Sequence, residues 1–286
     1  VLFLVLVFVP GIGRAENGAT RWVRLGISFQ PSEVAKLGII LSFAAMISAF
    51  GEKMETFRWG IAPFAAILAV IVVLLRLEPH NSAIVIIVCT AGAMLFLGGV
   101  KYRWFILGGL AMLLGLILIL GAGGYEASRI TAWQDPFSDP TDDGYQIIQS
   151  LYAIGSGGLF GLGLGNGRQK YLYLPEEHND YIFSIACEEL GLAGAVGILI
   201  LYSLLILRGY WISMHIRDRF LSLTVAGITT LTALQVFFNI GVVTNLLPST
   251  GISLPFFSYG GTALLIQLGE MGIILGASRQ CSAGFL

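Results

Sequence analysis

Residues 190–207 read LGLAGAVGILILYSLLIL, a run without a single charged side chain. A helix of this composition has no polar face to turn toward water, so the run predicts a bilayer span and not the surface helix of a soluble globule. Similar stretches occupy 35–50, 61–75, 82–99, 104–122, 220–243 and 262–277, and several approach the ~20 residues that cross the hydrocarbon as helix. The whole chain agrees, being 56% hydrophobic and only 12% charged over 286 residues. The expected fold is all-α, a polytopic integral membrane helical bundle. Its spans are predicted at 1–10 (in part), 32–50, 60–76, 82–99, 104–122, 184–207, 220–243 and 261–278. They form one transmembrane domain over 1–286, with a large extracellular loop at 123–183.

The chain opens VLFLVLVFVPGIG without Met. No basic region precedes this run and no small-residue cleavage site follows it, so it reads as the tail of a span whose beginning is absent. A net charge of −1 offers no basic field for nucleic acid. Three cysteines make no disulfide framework. Basic residues orient the spans. Lys53 and Arg58, Lys101 and Arg103, Arg208, Arg217 and Arg219, and Arg279 all fall on one side, which is assigned to the cytoplasm. The other side receives 11–31, the turn near 77–81, segment 123–183 and 244–260. Arg14, Arg21 and Arg24 lie there against the rule, which points to a use for their charge.

Five stretches can carry chemistry. In QPSEVAK (30–36), Pro31 starts a helix and Glu33 and Lys36 share a face, as a packing salt bridge or a functional pair. In NGATRWVRLG (17–26), a polar turn precedes Trp22 and two arginines whose planar forks suit phosphate. LEPHNSA (77–83) is either a short turn or a broken, re-entrant helix pair. NLLPSTGISLPFFSYGGT (245–262) carries hydroxyls between prolines and glycines that forbid one continuous helix. The last is LPEEHNDYIF (174–183), where Glu176, Glu177, His178 and Asp180 gather. On a helix running on into FSIACEELG, Asp180 would share a face with Ser184 and with Glu177. Clustered acids raise one another's pKa, which makes a general base. The spacing of Glu177, His178 and Asp180 matches no strong metal signature. Upstream, GSGGLFGLGLGNG (155–167) has no strand before it and no βαβ unit around it, which excludes a dinucleotide loop. Close backbone packing, or a loop bending at the membrane face, remain as its roles. Glu188 and Glu189 can cap or pair within the bundle, and Glu270 stands inside a span with no assigned partner.

Taken together, NGATRW…QPSEVAKL, EPHNSA, DGYQIIQSLYAIGSGGLFGLGLGNGRQK, YLPEEHNDYIFSIACEELG and STGISLPFFSYGGT resemble the SEDS proteins (shape, elongation, division and sporulation), nearer the FtsW/SpoVE branch than RodA. Many relatives have QPD where this chain has EPH (78–80), and HTDF where it has HNDY (178–181). The resemblance implies ten spans, about eight of them visible here, in the bacterial inner membrane. It implies a peptidoglycan glycosyltransferase of division or sporulation, acting on the outer face on lipid II, a disaccharide-pentapeptide on undecaprenyl pyrophosphate. A class B penicillin-binding transpeptidase is the implied partner. Asp180 matches the family's essential loop aspartate, Glu33 and Lys36 its helix-borne pair, and Arg21 its loop arginine. A sugar hydroxyl displacing pyrophosphate needs a base and cations. Asp180 is the expected base, with Lys36, Arg21 and Arg24 on the diphosphate and Glu33 orienting Lys36. Glu177 and His178 support the same site. No cofactor is required, and a divalent cation such as Mg or Mn is compatible with the leaving group. The alternatives are a lipid II flippase and a non-catalytic scaffold for the transpeptidase. A flippase would carry charge through the midplane, where the spans hold little beyond Glu270.

Overall fold

The structure is a computed structural model. It describes residues 1–9, 13–16, 19–25, 27–109, 125–140, 144–171, 174–175 and 178–282. The chain divides into two compact units, one of Val1–Phe105, Leu205–Leu234 and Gly260–Leu286, the other of Ile106–Leu204 and Gln235–Tyr259.

The first unit opens with a short helix α1 (Leu2–Leu6) and three strands, β1 (Gly13–Glu16), β2 (Ala19–Leu25) and β3 (Ile27–Phe29). They pair antiparallel in the order β1-β2-β3, with Gly13 opposite Val23 and Val23 opposite Phe29. This small sheet is a local departure from the all-α expectation. Asn17-Gly18, read from sequence as a polar turn, is the dipeptide that favours a tight hairpin. The helices α2 (Pro31–Phe50), α3 (Phe57–Gly60), α4 (Ala62–Leu77) and α5 (Asn81–Leu97) follow. Pro31 sits in the first turn of α2, where its missing N–H costs no ladder bond, and Glu33 lies beside the positive helix end. Pro79 cannot continue α4, so the chain turns within 78–80 and restarts at Asn81. The core of this unit joins α2 to α4 and α5. Phe43 and Phe64 meet edge to face at 4.8 Å, and Ile40, Ile47, Leu75 and Met94 are buried around them.

In the second unit the long inter-span segment contains helices of its own, α6 (Tyr125–Gln134) and α7 (Tyr145–Gly157), as its length predicts. Helix α8 (Ile182–His215) starts in this unit and α9 (Arg219–Val243) ends in it, while α10 (Gly261–Ser282) belongs to the first. Ser150 of α7 ties three helices here. Its hydroxyl donates to the Val243 carbonyl at 2.7 Å, so the 2.7 Å contact with Ser184 must have Ser184 as donor.

Among the described residues, Pro31–Glu55, Phe57–Leu77, Ile182–His215, Arg219–Val243 and Gly261–Cys281 are long and apolar enough to cross a membrane, and Asn81–Leu97 is a shorter apolar helix. The spans predicted at 32–50, 60–76, 82–99, 220–243 and 261–278 coincide with helices to within a few residues, the helix at 184–207 runs on to His215, and the stretch 1–10 is helical only over Leu2–Leu6. The span expected at 104–122 is helical through 109, and its remainder lies outside the described residues.

Candidate functional site

Asp180 is not on a helix. Helix α8 begins two residues later, at Ile182, so the shared face with Ser184 expected from a helical reading does not exist. Ser184 is fully buried in its bond to Ser150, whereas Asp180 is half-buried. What holds Asp180 instead is its main chain. Three successive carbonyls accept hydrogen bonds from groups distant in sequence. The amide N–H of Tyr259 donates to His178 (2.8 Å), the hydroxyl of Ser258 to Asn179 (2.7 Å), and the side-chain amide of Asn239 to Asp180 (2.7 Å). Asn239, on α9, also donates to the Ile252 carbonyl at 2.7 Å, and so joins the two loops through one buried amide. A segment whose acceptors are all occupied this way has one preferred backbone path, which fixes where the carboxylate leaves it.

The loop supplying these donors, 244–260, is itself braced. Arg129 of α6 donates to the Ser249 carbonyl at 2.9 Å, and the Trp133 indole donates to Asn245 at 3.1 Å. Tyr202 donates its hydroxyl to the Pro255 carbonyl. Phe256 has φ 65, a conformation that costs a bulky side chain ~1–2 kcal/mol and persists only where surrounding contacts enforce it. Gly251 has φ 62, and a Cβ placed there would lie 3.1 Å from Oδ2 of Asp180. The missing side chain is what leaves the carboxylate its room. Burial pushes the Tyr181 hydroxyl up to about 12, so it stays protonated and donates to Ser249 (3.5 Å). His178 projects into solvent, while Glu177 lies outside the described residues.

The first unit holds the other predicted residues. Lys36 and Glu33 form an ion pair at 2.7 Å, both nearly enclosed. Glu270 of α10 is buried within electrostatic range of both, which gives the acid left unplaced by sequence two neighbours in the same unit. Arg21, on β2, donates to the Pro79 carbonyl at 2.5 Å and so ties the small sheet to the α4–α5 turn. Arg24 is on β2 opposite Ser28, and its side chain is outside the described residues. The 78–80 turn is not the solvated loop that the simpler sequence reading allowed, because Glu78 and His80 are both buried. Burial raises the Glu78 carboxyl to about 7 against the pull of Arg21. Burial, with Arg21 and Lys36 nearby, lowers His80 to about 3, so its imidazole is neutral.

Sequence reading missed Asn239, although a signal was available. An amide inside an apolar helix is costly unless it has partners, so its presence marks a functional or positioning group. Among the described residues no group of three or more His, Cys, Asp or Glu could hold a metal ion. Cationic side chains are the groups present that suit an anionic ligand.

Spanning helices, a half-buried acid on a braced inter-span loop and an enclosed Glu–Lys pair inside a span define a multi-pass membrane protein with two polar sites. The chain belongs to the FtsW/RodA/SpoVE family of cell cycle proteins, whose family model matches residues 1–283. It is 43% identical over 278 residues to the "Probable peptidoglycan glycosyltransferase FtsW" of Geobacter sp. strain M18, covering 97% of this chain and 76% of that protein. To "Stage V sporulation protein E" of Bacillus subtilis strain 168 it is 42% identical over 277 residues, 96% of this chain and 76% of the relative. Among solved structures, a chain of a peptidoglycan synthase complex described as coordinating polymerization and crosslinking matches with TM-score 0.82 and 31% identity, over 97% of this chain and 78% of that one. The rod shape determining protein RodA of Thermus thermophilus matches with TM-score 0.66 and 30% identity, over 97% and 75%.

Proposed function

We propose that this protein is a peptidoglycan glycosyltransferase of the bacterial inner membrane that polymerises lipid II on the outer face, in division or sporulation. Its partner is a class B penicillin-binding transpeptidase. The names of its relatives support the activity. The observation that carries the residue assignment is the triple capping of carbonyls 178–180, which presents one carboxylate on a fixed path. Asp180 takes the proton from a sugar hydroxyl as that oxygen attacks the anomeric carbon. The bond from carbon to the diphosphate oxygen breaks, and undecaprenyl diphosphate departs with the electron pair. Direct displacement inverts the anomeric centre and needs one base and no covalent nucleophile. Lys36 and Arg21, with Arg24, neutralise the leaving diphosphate, and Glu33 orients Lys36. His178 and Glu177 contact substrate near the base. A divalent cation is an optional aid to the leaving group, and no step above is routed through one.

The test is polymerisation of purified lipid II by the protein reconstituted with its transpeptidase partner. Asp180→Asn should abolish glycan polymer while lipid II binding and melting temperature are kept. Undiminished polymer from that variant would sink the base assignment. Lys36→Ala should weaken lipid II binding by roughly tenfold, the scale of one lost charge-assisted hydrogen bond, and unchanged affinity would remove Lys36 from the diphosphate site.

A second reading, lipid II transport across the bilayer, draws on the buried Glu33, Lys36 and Glu270, since enclosed charges inside spans also mark transport paths. Movement of a headgroup-labelled lipid II between leaflets of protein-containing vesicles, undiminished in Asp180→Asn, would favour transport over polymerisation.

A further inference from the structure

The glycine-rich stretch 158–165 is not used by the site above, yet it is bound tightly to α8. Gly191 interrupts that helix, with φ 68 and ψ −168. In an unbroken helix, the N–H groups of Leu192 and Ala193 would donate to the carbonyls of Glu188 and Glu189. At the interruption the loop takes all four groups. Leu192 donates to Gly158 (2.9 Å) and Ala193 to Leu159 (3.1 Å), while Leu162 donates to Glu188 and Gly163 to Glu189, each at 3.0 Å. A Cβ on Gly161 would stand 2.1 Å from the Glu189 carbonyl oxygen, and one on Gly191 would stand 2.3 Å from the Gly161 nitrogen. Only glycine at both positions lets the backbones meet.

The two carboxylates next to the break are consumed as well. Glu188 accepts from the amides of Arg168 (2.9 Å) and Gln169 (3.2 Å). Glu189 accepts from Gly165 (3.0 Å) and Gly167 (3.3 Å), and pairs with Lys170 at 2.6 Å. The four backbone groups freed at the break and both carboxylates beside it thus find partners within residues 158–170. Water would make this unnecessary, whereas hydrocarbon demands it, because an unsatisfied backbone group there costs several kcal/mol.

Position along the helix points the same way. The uncharged run 190–207 begins immediately after Glu189. At 1.5 Å per residue it is about 27 Å long, close to the ~30 Å of a bilayer core. The clasp at 188–193 therefore stands at one boundary of the core. From that point the loop exposes Leu159 (65%), Phe160 (84%), Leu162 (42%) and Leu164 (78%), beside the outward-facing Leu192 and Val196 of α8. Four large apolar side chains held rigidly in solvent would be a standing cost, but in lipid they continue the apolar surface of the span.

We propose that loop 158–165 is inserted into the bilayer at one boundary of the 190–207 span, with Leu159, Phe160, Leu162 and Leu164 against lipid acyl chains. Nitroxides at Phe160→Cys and Leu164→Cys test this, in a parent lacking Cys89 and Cys281 and reconstituted in phosphatidylethanolamine–phosphatidylglycerol vesicles. Oxygen, which partitions into lipid, should relax both labels several-fold more than a water-soluble nickel chelate does. The ratio should reverse at Asn166→Cys, an exposed polar position one residue beyond the loop. Relaxation of 160 and 164 chiefly by the chelate would place the loop in water and overturn the proposal. Shielding of both labels from both reagents would place a protein there and overturn it equally.

Discussion

Asn239 carries the sharpest consequence at the scale of single residues. Its amide holds the carbonyls of Asp180 and Ile252, so Asn239→Ala leaves one buried and one part-buried acceptor without this donor, a loss of ~1–3 kcal/mol. Asn239→Asp keeps the volume but removes the donor, and should fall as far. Both variants should lower kcat for lipid II polymerisation with KM nearly unchanged, because the residue acts through the main chain of Asp180, the proposed base. Equal loss in kcat and KM, measured by initial rates across lipid II concentration, would argue against that role. Glu78 supports a pH prediction. Its carboxyl is raised to about 7, so the associated stability is complete below its ordinary value near 4.5 and is lost as pH rises through 7. His80 is depressed to about 3, and its contribution is present above 6.5 and lost as pH falls toward 3. Between pH 6.5 and 8 only Glu78 of this pair changes charge. The melting temperature of the wild type should therefore drop across that window more than that of Glu78→Gln, by thermal unfolding in detergent.

Elements matter here mostly where they break. Loop 244–260 ends α9 and precedes α10, and its prolines and glycines keep it from becoming helix. Because it is not helix, its groups can turn toward 178–180. Gly251→Ala should test that arrangement. The new Cβ would meet Oδ2 of Asp180 at 3.1 Å in a left-handed backbone, which adds ~1–2 kcal/mol of strain. Polymer yield should fall at least tenfold while the protein still extracts as a folded species, read by size-exclusion profile and lipid II turnover. The interruption of α8 at Gly191 follows the same logic. Gly191→Ala would collide with Gly161 and Leu159 main chain, and should lower the melting temperature more than Gly197→Ala, which meets nothing within 4 Å.

For the molecule as a whole, charge decides orientation. Segments 51–59, 100–103 and 208–219 carry Lys53, Arg58, Lys101, Arg103, Arg208, Arg217 and Arg219 and should share one side, while 244–260 should face the other. A membrane-impermeant maleimide applied to intact cells should label Leu246→Cys, and should reach Arg58→Cys and Arg217→Cys only after the membrane is opened. Labelling of all three in intact cells would refute the assigned topology. The spans themselves were legible from composition, since hydrophobic length and the breaks at Pro79, Pro248 and Gly251 act over a few neighbouring residues. The turn at Asn17-Gly18 was also legible locally, although the strands at 13–16 and 19–25 were read only as part of the outer-side connection 11–31. The helical reading of Asp180 failed because it carried the helix of FSIACEELG back through 177–180, whereas α8 begins only at Ile182. What sequence could not supply was the pairing of distant polar groups. The donors that cap residues 179 and 180 come from positions 79 and 59 residues away, and Lys36 lies within electrostatic range of an acid on the last helix. Hydrophobicity and turn chemistry are local properties of the chain, so sequence alone determined where it spans and where it bends. A hydrogen bond depends on the final positions of two atoms, so only the tertiary structure decided which buried donor meets which acceptor.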